Sequence, residues 1–167
     1  MTTNEGGRVK RIGGLGKLAG ERVLALARTG DGAEVVGTRD ALFLPGGVRI
    51  PWEQVQAADW DIDAATLTVA EVGTWGEERP VHVVAVDDPG LLLELVRERV
   101  TASVVLQRHA PVRGALGLFV IARRAPRGDQ SLQWSFEYDE GLDPDAPDVK
   151  AAAIAALERA RDEVGDR

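Results

Sequence analysis

The chain of 167 residues contains no cysteine, only two histidines and few aromatic residues. Without cysteine it cannot form disulfides, thiolate metal sites or thiol nucleophiles. It lacks the run of about 20 apolar residues that a membrane-spanning helix requires, and its N-terminal residues lack the apolar core of a signal peptide. These absences predict a cytoplasmic protein without a transmembrane segment.

Short segments of alternating or apolar character follow one another at hairpin spacing between residues 22 and 86. Turn residues such as Gly30-Asp31-Gly32 and Pro45-Gly46-Gly47 separate them. Short connections favour antiparallel pairing. The pattern therefore predicts about seven consecutive antiparallel strands.

The hydrophobic period changes after residue 87. Leu92, Val96 and Val100 recur at every fourth position, which predicts a helix over 88–106, capped by Asp88. Pro111 then ends the helical pattern. A β-hairpin of residues 116–124 and 132–138 follows, and after it a C-terminal helix over 147–164.

These elements predict an α+β fold with three parts. Residues 1–20 are Gly-rich and polar, which predicts a flexible N-terminal arm. Residues 21–106 form the antiparallel sheet or barrel closed by a helix. Residues 107–167 supply the hairpin and last helix, packed on the same domain or forming a small appendage.

The charges are unevenly distributed. The net charge of -7 argues against a nucleic-acid binder, which usually has a basic domain. Residues 104–128, however, contain five arginines and no acid. This basic block consists of Arg108, Arg113, Arg123, Arg124 and Arg127.

The basic block has two interpretations. Arginine forks bind phosphate or carboxylate groups, so the block could hold a small anionic ligand. Alternatively, Arg123 and Arg124 pair with Glu137, Asp139 or Glu140 on the next strand of the hairpin. The second interpretation is favoured, because opposite charges lie on adjacent predicted strands.

Three segments carry a family resemblance: Thr38-Arg39-Asp40-Ala41-Leu42, Arg49-Ile50-Pro51-Trp52-Glu53-Gln54-Val55 and Leu67-Thr68-Val69. With them, residues 21–103 resemble bacterial pleckstrin-homology-like (PH-like) and GRAM-type domains, and the whole chain is similar to proteins of actinobacterial type. The resemblance implies a scaffold for binding and self-association, without catalysis or cofactor. Its first hairpin contains one base, Arg28, and two acids, which argues against phosphoinositide binding.

Other motifs favour ordinary structural roles. Gly14 to Ala19 has the spacing of a dinucleotide-binding loop, but no apolar strand precedes it. Asp59, Asp61 and Asp63 begin like a calcium loop, yet the sixth and twelfth positions are alanine. They are interpreted as a hairpin turn, and no metal or cofactor is expected.

Structural roles are also expected for both histidines and for two of the tryptophans. No serine has the glycine neighbours of a nucleophile elbow. The sequence therefore does not indicate a catalytic role for His82 or His109. His82 is expected to be hydrogen-bonded in a strand, and His109 to lie just after a helix. Trp52 and Trp60 are expected in the core, whereas Trp75, in a polar loop, is a candidate partner contact.

The sequence therefore predicts a non-enzymatic module for protein binding or self-association. Its alanine-rich helix face around Ala152, Ala156 and Ala160 is expected to dock within the chain or on another subunit. The alternative is a small-anion-binding protein that uses the basic block. An enzyme using scattered carboxylates such as Asp61 and Glu71 ranks last, because no acid–base pair can be located from spacing.

Overall fold

The computed structural model of the chain describes residues 16–74 and 77–166. It is an α+β protein of antiparallel sheets and two helices, as the sequence predicts. Its contacts divide it into two compact units. The first runs to Ser103 and includes Ala125–Asp129, and the second comprises Val104–Arg124 and the residues from Gln130 onward.

The first unit contains eight strands, a short 3-10 helix and one α-helix. In chain order these are β1 (Lys17–Leu18), β2 (Glu21–Arg28), β3 (Glu34–Thr38), β4 (Ala41–Leu44), β5 (Val48–Pro51), the 3-10 helix Trp52–Gln54, β6 (Val55–Asp61), β7 (Thr66–Glu71), β8 (Val81–Ala85) and α1 (Leu91–Ser103). One sheet has the order β1-β2-β3-β4-β5 and the other β6-β7-β8. The predicted strands are confirmed within one or two residues, and β1 lies in the segment predicted as an arm.

The core of the first unit receives side chains from both sheets and from α1. Trp52, Leu42 and Ile50 are almost completely buried together with Leu67. Burying side chains of this size stabilises a fold by about 1.5–3 kcal/mol each. The prediction that Trp52 belongs to the core is confirmed, and Trp60 packs against the same cluster half-buried.

Helix α1 packs through the apolar face that the sequence predicts. Leu92 and Val96 are buried in the core of the first unit. A glycine in β3 allows the close approach, since a Cβ atom on Gly37 would lie 2.5 Å from Leu95 Cδ2 and 3.3 Å from Leu92 Cδ1. The lack of a side chain at Gly37 therefore allows α1 to pack closely against β3.

The second unit is a three-stranded sheet and a helix. Its elements are β9 (Val104–Arg113), β10 (Leu116–Arg123), β11 (Gln133–Tyr138) and α2 (Pro147–Val164), with the sheet order β11-β10-β9. The predicted hairpin and last helix are confirmed, and Gly165 ends α2 in the left-handed conformation. Asp145 does not cap α2, because Ala146 is the N-cap and no side chain caps it.

Two sequence predictions are wrong in the region of strand β9. The helix does not reach residue 106, and the predicted hairpin is two strands of a three-stranded sheet. The proline that was interpreted as a helix breaker lies in β9 opposite Gly117, next to a register shift between Leu116 and Gly117. An edge strand tolerates proline at such an irregularity because no ladder hydrogen bond is lost there.

The alanine-rich face of α2 serves the interior of the second unit. Ala156 and Ala160 of the predicted face are buried with Ala153 and Val149 in one cluster with strand residues of β9 and β10, whereas Ala152 is half-buried. Of the two dockings predicted for this face, the intramolecular one is therefore observed. None of the helices in the described part of the chain is long and apolar enough to cross a membrane.

Candidate functional site

An open groove of about 690 Å³ lies in the first unit, beside β8. The turn after β2, the turn between β4 and β5, and β8 itself form its walls. The lining residues are Thr29, Gly30, Asp31, Leu44, Pro45, Val48, Val81, His82, Val83, Val84 and Ala85. Most of this lining is apolar, which is typical of sites that bind organic or peptide groups.

Strand β8 is the last strand of its sheet. It pairs with β7 on one side, in the register Thr68 opposite Val83, and within residues 16–74 and 77–166 no strand pairs with it along the other side. An isolated bridge between Thr29 and Val86 closes only the point where β8 ends. Among the described residues, 81–85 thus form a sheet edge without a neighbouring strand.

The hydrogen bonds at both ends of β8 show which backbone groups point to the open side. The Val86 N–H donates to the Ala65 carbonyl at 2.9 Å, and the Pro80 carbonyl accepts from the Glu71 N–H at 2.9 Å. Backbone groups alternate in direction along a strand. The N–H and C=O groups of Val81 and Val83 therefore face away from β7, into the open edge.

The side chains along this edge are apolar and exposed. Val81 is 57% exposed and Val83 64% exposed. Strand β8 contains no charged residue, and proteins commonly place lysine, proline or a bulge on an edge strand to prevent pairing with other chains. Strand β8 has none of these devices, so it can accept another strand.

A histidine–carboxylate pair lies at this strand. His82 Nε2 lies 2.7 Å from Glu71 Oε2, and both side chains are 26% exposed. The prediction that His82 is a hydrogen-bonded strand residue is confirmed. Asp31 also lines the groove, and its pKa is lowered by hydrogen bonds from the Thr29 hydroxyl and the Ala33 N–H.

Three arginines of the basic block pair with three different acids. Arg108 bonds Glu163, Arg113 bonds Asp148 at 2.8 Å, and each of these pairs lies within the second unit. Arg127 belongs to the first unit, where its Nε donates to Asp40 at 2.9 Å. These bonds raise the pKa values of Arg113 and Arg127.

The remaining two arginines lie at the end of β10. Arg123 is buried and donates to the Ser135 hydroxyl at 3.0 Å, whereas Arg124 is exposed. In the register of the hairpin, Gln133 lies opposite Arg123, and the predicted acids Glu137 and Asp139 lie further along the chain. The acid partners of Arg108 and Arg113 come from α2, and that of Arg127 comes from the turn after β3.

The other predicted motifs are also placed. Trp75, Gly14 and Leu15 lie outside the described residues, and strand β1 (Lys17–Leu18) occupies the middle of the described part, 16–19, of the glycine-rich segment. The Asp61 carboxylate accepts the N–H groups of Asp63 and Ala64 at 2.9 and 3.0 Å, as expected for a hairpin turn. Across the described ranges 16–74 and 77–166, no three metal-ligating side chains cluster.

His109 occupies a different environment from the one predicted. It lies within β9, and its Nε2 is 3.0 Å from Asp139 Oδ2 while its ring packs on Phe119. The Gly117 N–H donates to the same carboxylate at 2.7 Å. Hydrogen bonds from His109 and Gly117 lower the pKa of Asp139.

The sequence analysis missed the open edge of β8. The available signal was a strand of five residues without a charge, Val-His-Val-Val-Ala, but its edge position depends on the strand order of the sheet.

Comparison of the chain with protein-family models, with curated proteins and with solved structures finds no match.

Proposed function

We propose that this chain is a non-catalytic protein-binding module on a PH-like scaffold, and that it takes up an extended segment of a partner protein along the open edge of β8. In this mode the incoming segment becomes an additional strand. Main-chain hydrogen bonds then supply affinity, and pockets for alternate side chains supply specificity.

The scaffold part of the proposal is supported by the order of elements. Strands β2 to β8 are seven consecutive antiparallel strands in two sheets, and α1 follows them and packs into their core. This is the arrangement that the family resemblance implies. Fold alone does not fix function, so the binding mode is argued from the site.

The observation that carries the proposal is the open edge itself. The backbone N–H and C=O groups of Val81 and Val83 face the open edge, and the side chains of both valines are exposed. The groove beside them is lined by Leu44, Pro45 and Val48. An added strand would satisfy the ladder positions and cover the valines. Each covered valine would contribute part of the roughly 25 cal/mol per Å² of buried apolar area.

The alternative anion-binding function has weaker support. Arg108, Arg113 and Arg127 each bond a carboxylate of the same chain, in separate places. An anionic ligand would have to displace those acids one by one. The edge of β8 requires no such displacement.

The proposal is tested with Val83→Pro. The Val83 N–H faces the open edge, so proline removes a donor needed by an added strand but no bond to β7. The matched control is Val83→Thr, which keeps the N–H and the branched side chain. Far-UV circular dichroism and thermal unfolding first verify that both variants fold.

An array of extended ten-residue peptides supplies the probes. We expect peptides that bind the full chain to lose at least tenfold in affinity on Val83→Pro and less than threefold on Val83→Thr. N-methylation of alternate peptide amides should abolish binding in one of the two alternating patterns only. If no peptide binds, or if bound peptides are indifferent to Val83→Pro and to N-methylation, the proposal is wrong.

A further inference from the structure

We infer that the partner segment is basic, with arginine or lysine at the end that lies beside Ala85. This inference rests on the proposed function, because it names the chemistry of the segment that adds to β8. Its basis is the charge around the C-terminal end of that strand.

Several carboxylates lie close to this end of β8 in the sequence, in the groove or in the sheet register. Asp87 and Asp88 follow the strand directly and are exposed. Asp31 lines the groove. In the sheet register, Thr66 of β7 lies opposite Ala85, and Asp61 of β6 lies opposite Thr66.

Few positive charges compensate them. Among the groove-lining residues that the structure describes there is no lysine or arginine. Arg28, which precedes the Thr29–Val86 bridge, has Glu34 at 4.0 Å, and Arg79, two residues before β8, bonds Gln56. Residues 21–103 as a whole contain seven basic and fifteen acidic residues.

Hydrogen bonds from the Thr29 hydroxyl and the Ala33 N–H lower the pKa of Asp31. A basic side chain arriving at the strand end meets several carboxylates at once, whereas an acidic one is repelled. Complementary charge of this kind sets specificity and association rate more than total affinity. A second copy of this chain is disfavoured as the occupant, since its own β8 would bring the same acids.

The geometry also sets the rest of the segment. Residues of an added strand alternate between the exposed face, beside Val81 and Val83, and the groove, beside Leu44 and Val48. Both faces favour β-branched or apolar side chains. The expected ligand is therefore a short run of such residues that begins or ends with basic ones.

The experiment uses three fluorescent probe peptides that share an alternating Val-Thr run. One carries two arginines at its N-terminal end, one carries them at its C-terminal end, and one carries two glutamates at its N-terminal end. Affinities for the full chain are measured by fluorescence anisotropy at about 50 mM and about 500 mM salt, since screening weakens exposed charge interactions. The measurement is repeated with Asp87→Lys, and with Glu98→Lys on α1 as a control of equal charge change.

One of the two arginine probes should bind at least tenfold more tightly than the glutamate probe at low salt, and the difference should shrink at high salt. An N-terminal preference indicates antiparallel addition and a C-terminal preference parallel addition. Asp87→Lys should weaken the preferred probe more than threefold, and Glu98→Lys less than twofold.

Other outcomes separate this inference from the proposed function. If all three probes bind equally and all are lost on Val83→Pro, strand addition stands and the basic preference is wrong. If arginine probes bind but are unaffected by Val83→Pro, both are wrong, because the attraction lies elsewhere. A dimer by light scattering that Val83→Pro dissociates would make a second copy the occupant and overturn the inference.

Discussion

The indole of Trp52 donates a hydrogen bond from Nε1 to the Thr38 carbonyl at 3.0 Å, and both residues are almost fully buried. The Thr38 hydroxyl in turn accepts the Ala41 N–H at 3.1 Å. These bonds join the turn between β3 and β4 to the start of the 3-10 helix. Two of the three segments that carry the family resemblance are thus held together by one buried network.

Thr38→Val should destabilise the first unit. The substitution keeps the shape of the side chain but leaves the Ala41 N–H without its acceptor, and a buried unsatisfied donor costs about 1–3 kcal/mol. Urea unfolding followed by far-UV circular dichroism measures the loss. Thr101→Val, on the exposed side of α1, should change the unfolding free energy by less than about 0.5 kcal/mol. Equal effects of both substitutions would contradict the network.

Asp40 and Arg127 should be energetically coupled in a pH-dependent way. The Arg127 guanidinium holds the pKa of Asp40 below its usual value. A group with a lowered folded-state pKa stabilises the fold above its unfolded pKa of about 3.9, and that contribution is lost as the pH falls through the folded value. A double-mutant cycle of Asp40→Asn and Arg127→Gln should therefore give a small favourable coupling at pH 7 that vanishes in acid.

The exposed neighbour Arg124 provides the control for that cycle. Arg124→Gln changes the same charge three residues away, so its coupling to Asp40→Asn should be near zero at every pH. A coupling that persists unchanged well below pH 3 would show that the Asp40–Arg127 contact does not depend on the ionised carboxylate.

The sequence was sufficient to predict elements whose signals are local. Alternating segments bounded by turns such as Pro45-Gly46-Gly47 gave β3 to β8 nearly to the residue, because strand period and turn chemistry agree there. The helix prediction extends into the first three residues of β9 because Val104 continues the four-residue spacing of Val96 and Val100. The pairing of β9 with β10, a tertiary interaction, overrides that local pattern.

The candidate site depends on information that is not local. Arg113 pairs with Asp148, at a separation of 35 residues in the sequence, and Arg127 pairs with Asp40, at a separation of 87 residues. A preference for adjacent strands could not anticipate such partners. The open edge of β8 was equally hidden, since five residues without a charge look the same in a central strand as in an edge strand.

Gly117→Ala should disrupt the second unit. A Cβ atom at this position would lie 2.2 Å from the Ala110 carbonyl oxygen, so β9 and β10 could not keep their spacing. We expect a loss of about 3 kcal/mol or failure to fold, the upper range for overpacking. Gly30→Ala, where a Cβ atom would meet nothing within 4 Å, is the control and should be nearly neutral. Equal stability of the two variants in urea would contradict the close approach.

Two carboxylates of the second unit should respond independently to removal of their partners. His109 and the Gly117 N–H lower the pKa of Asp139, and Arg113 lowers the pKa of Asp148. His109→Gln should therefore raise the pKa of Asp139 toward its ordinary value and leave Asp148 unchanged, while Arg113→Gln should do the reverse. Carbon-detected NMR titration of the side-chain carboxyl groups measures both values in each variant. A shift of both carboxylates in either variant would mean that the substitution rearranges the sheet and does not simply remove one partner.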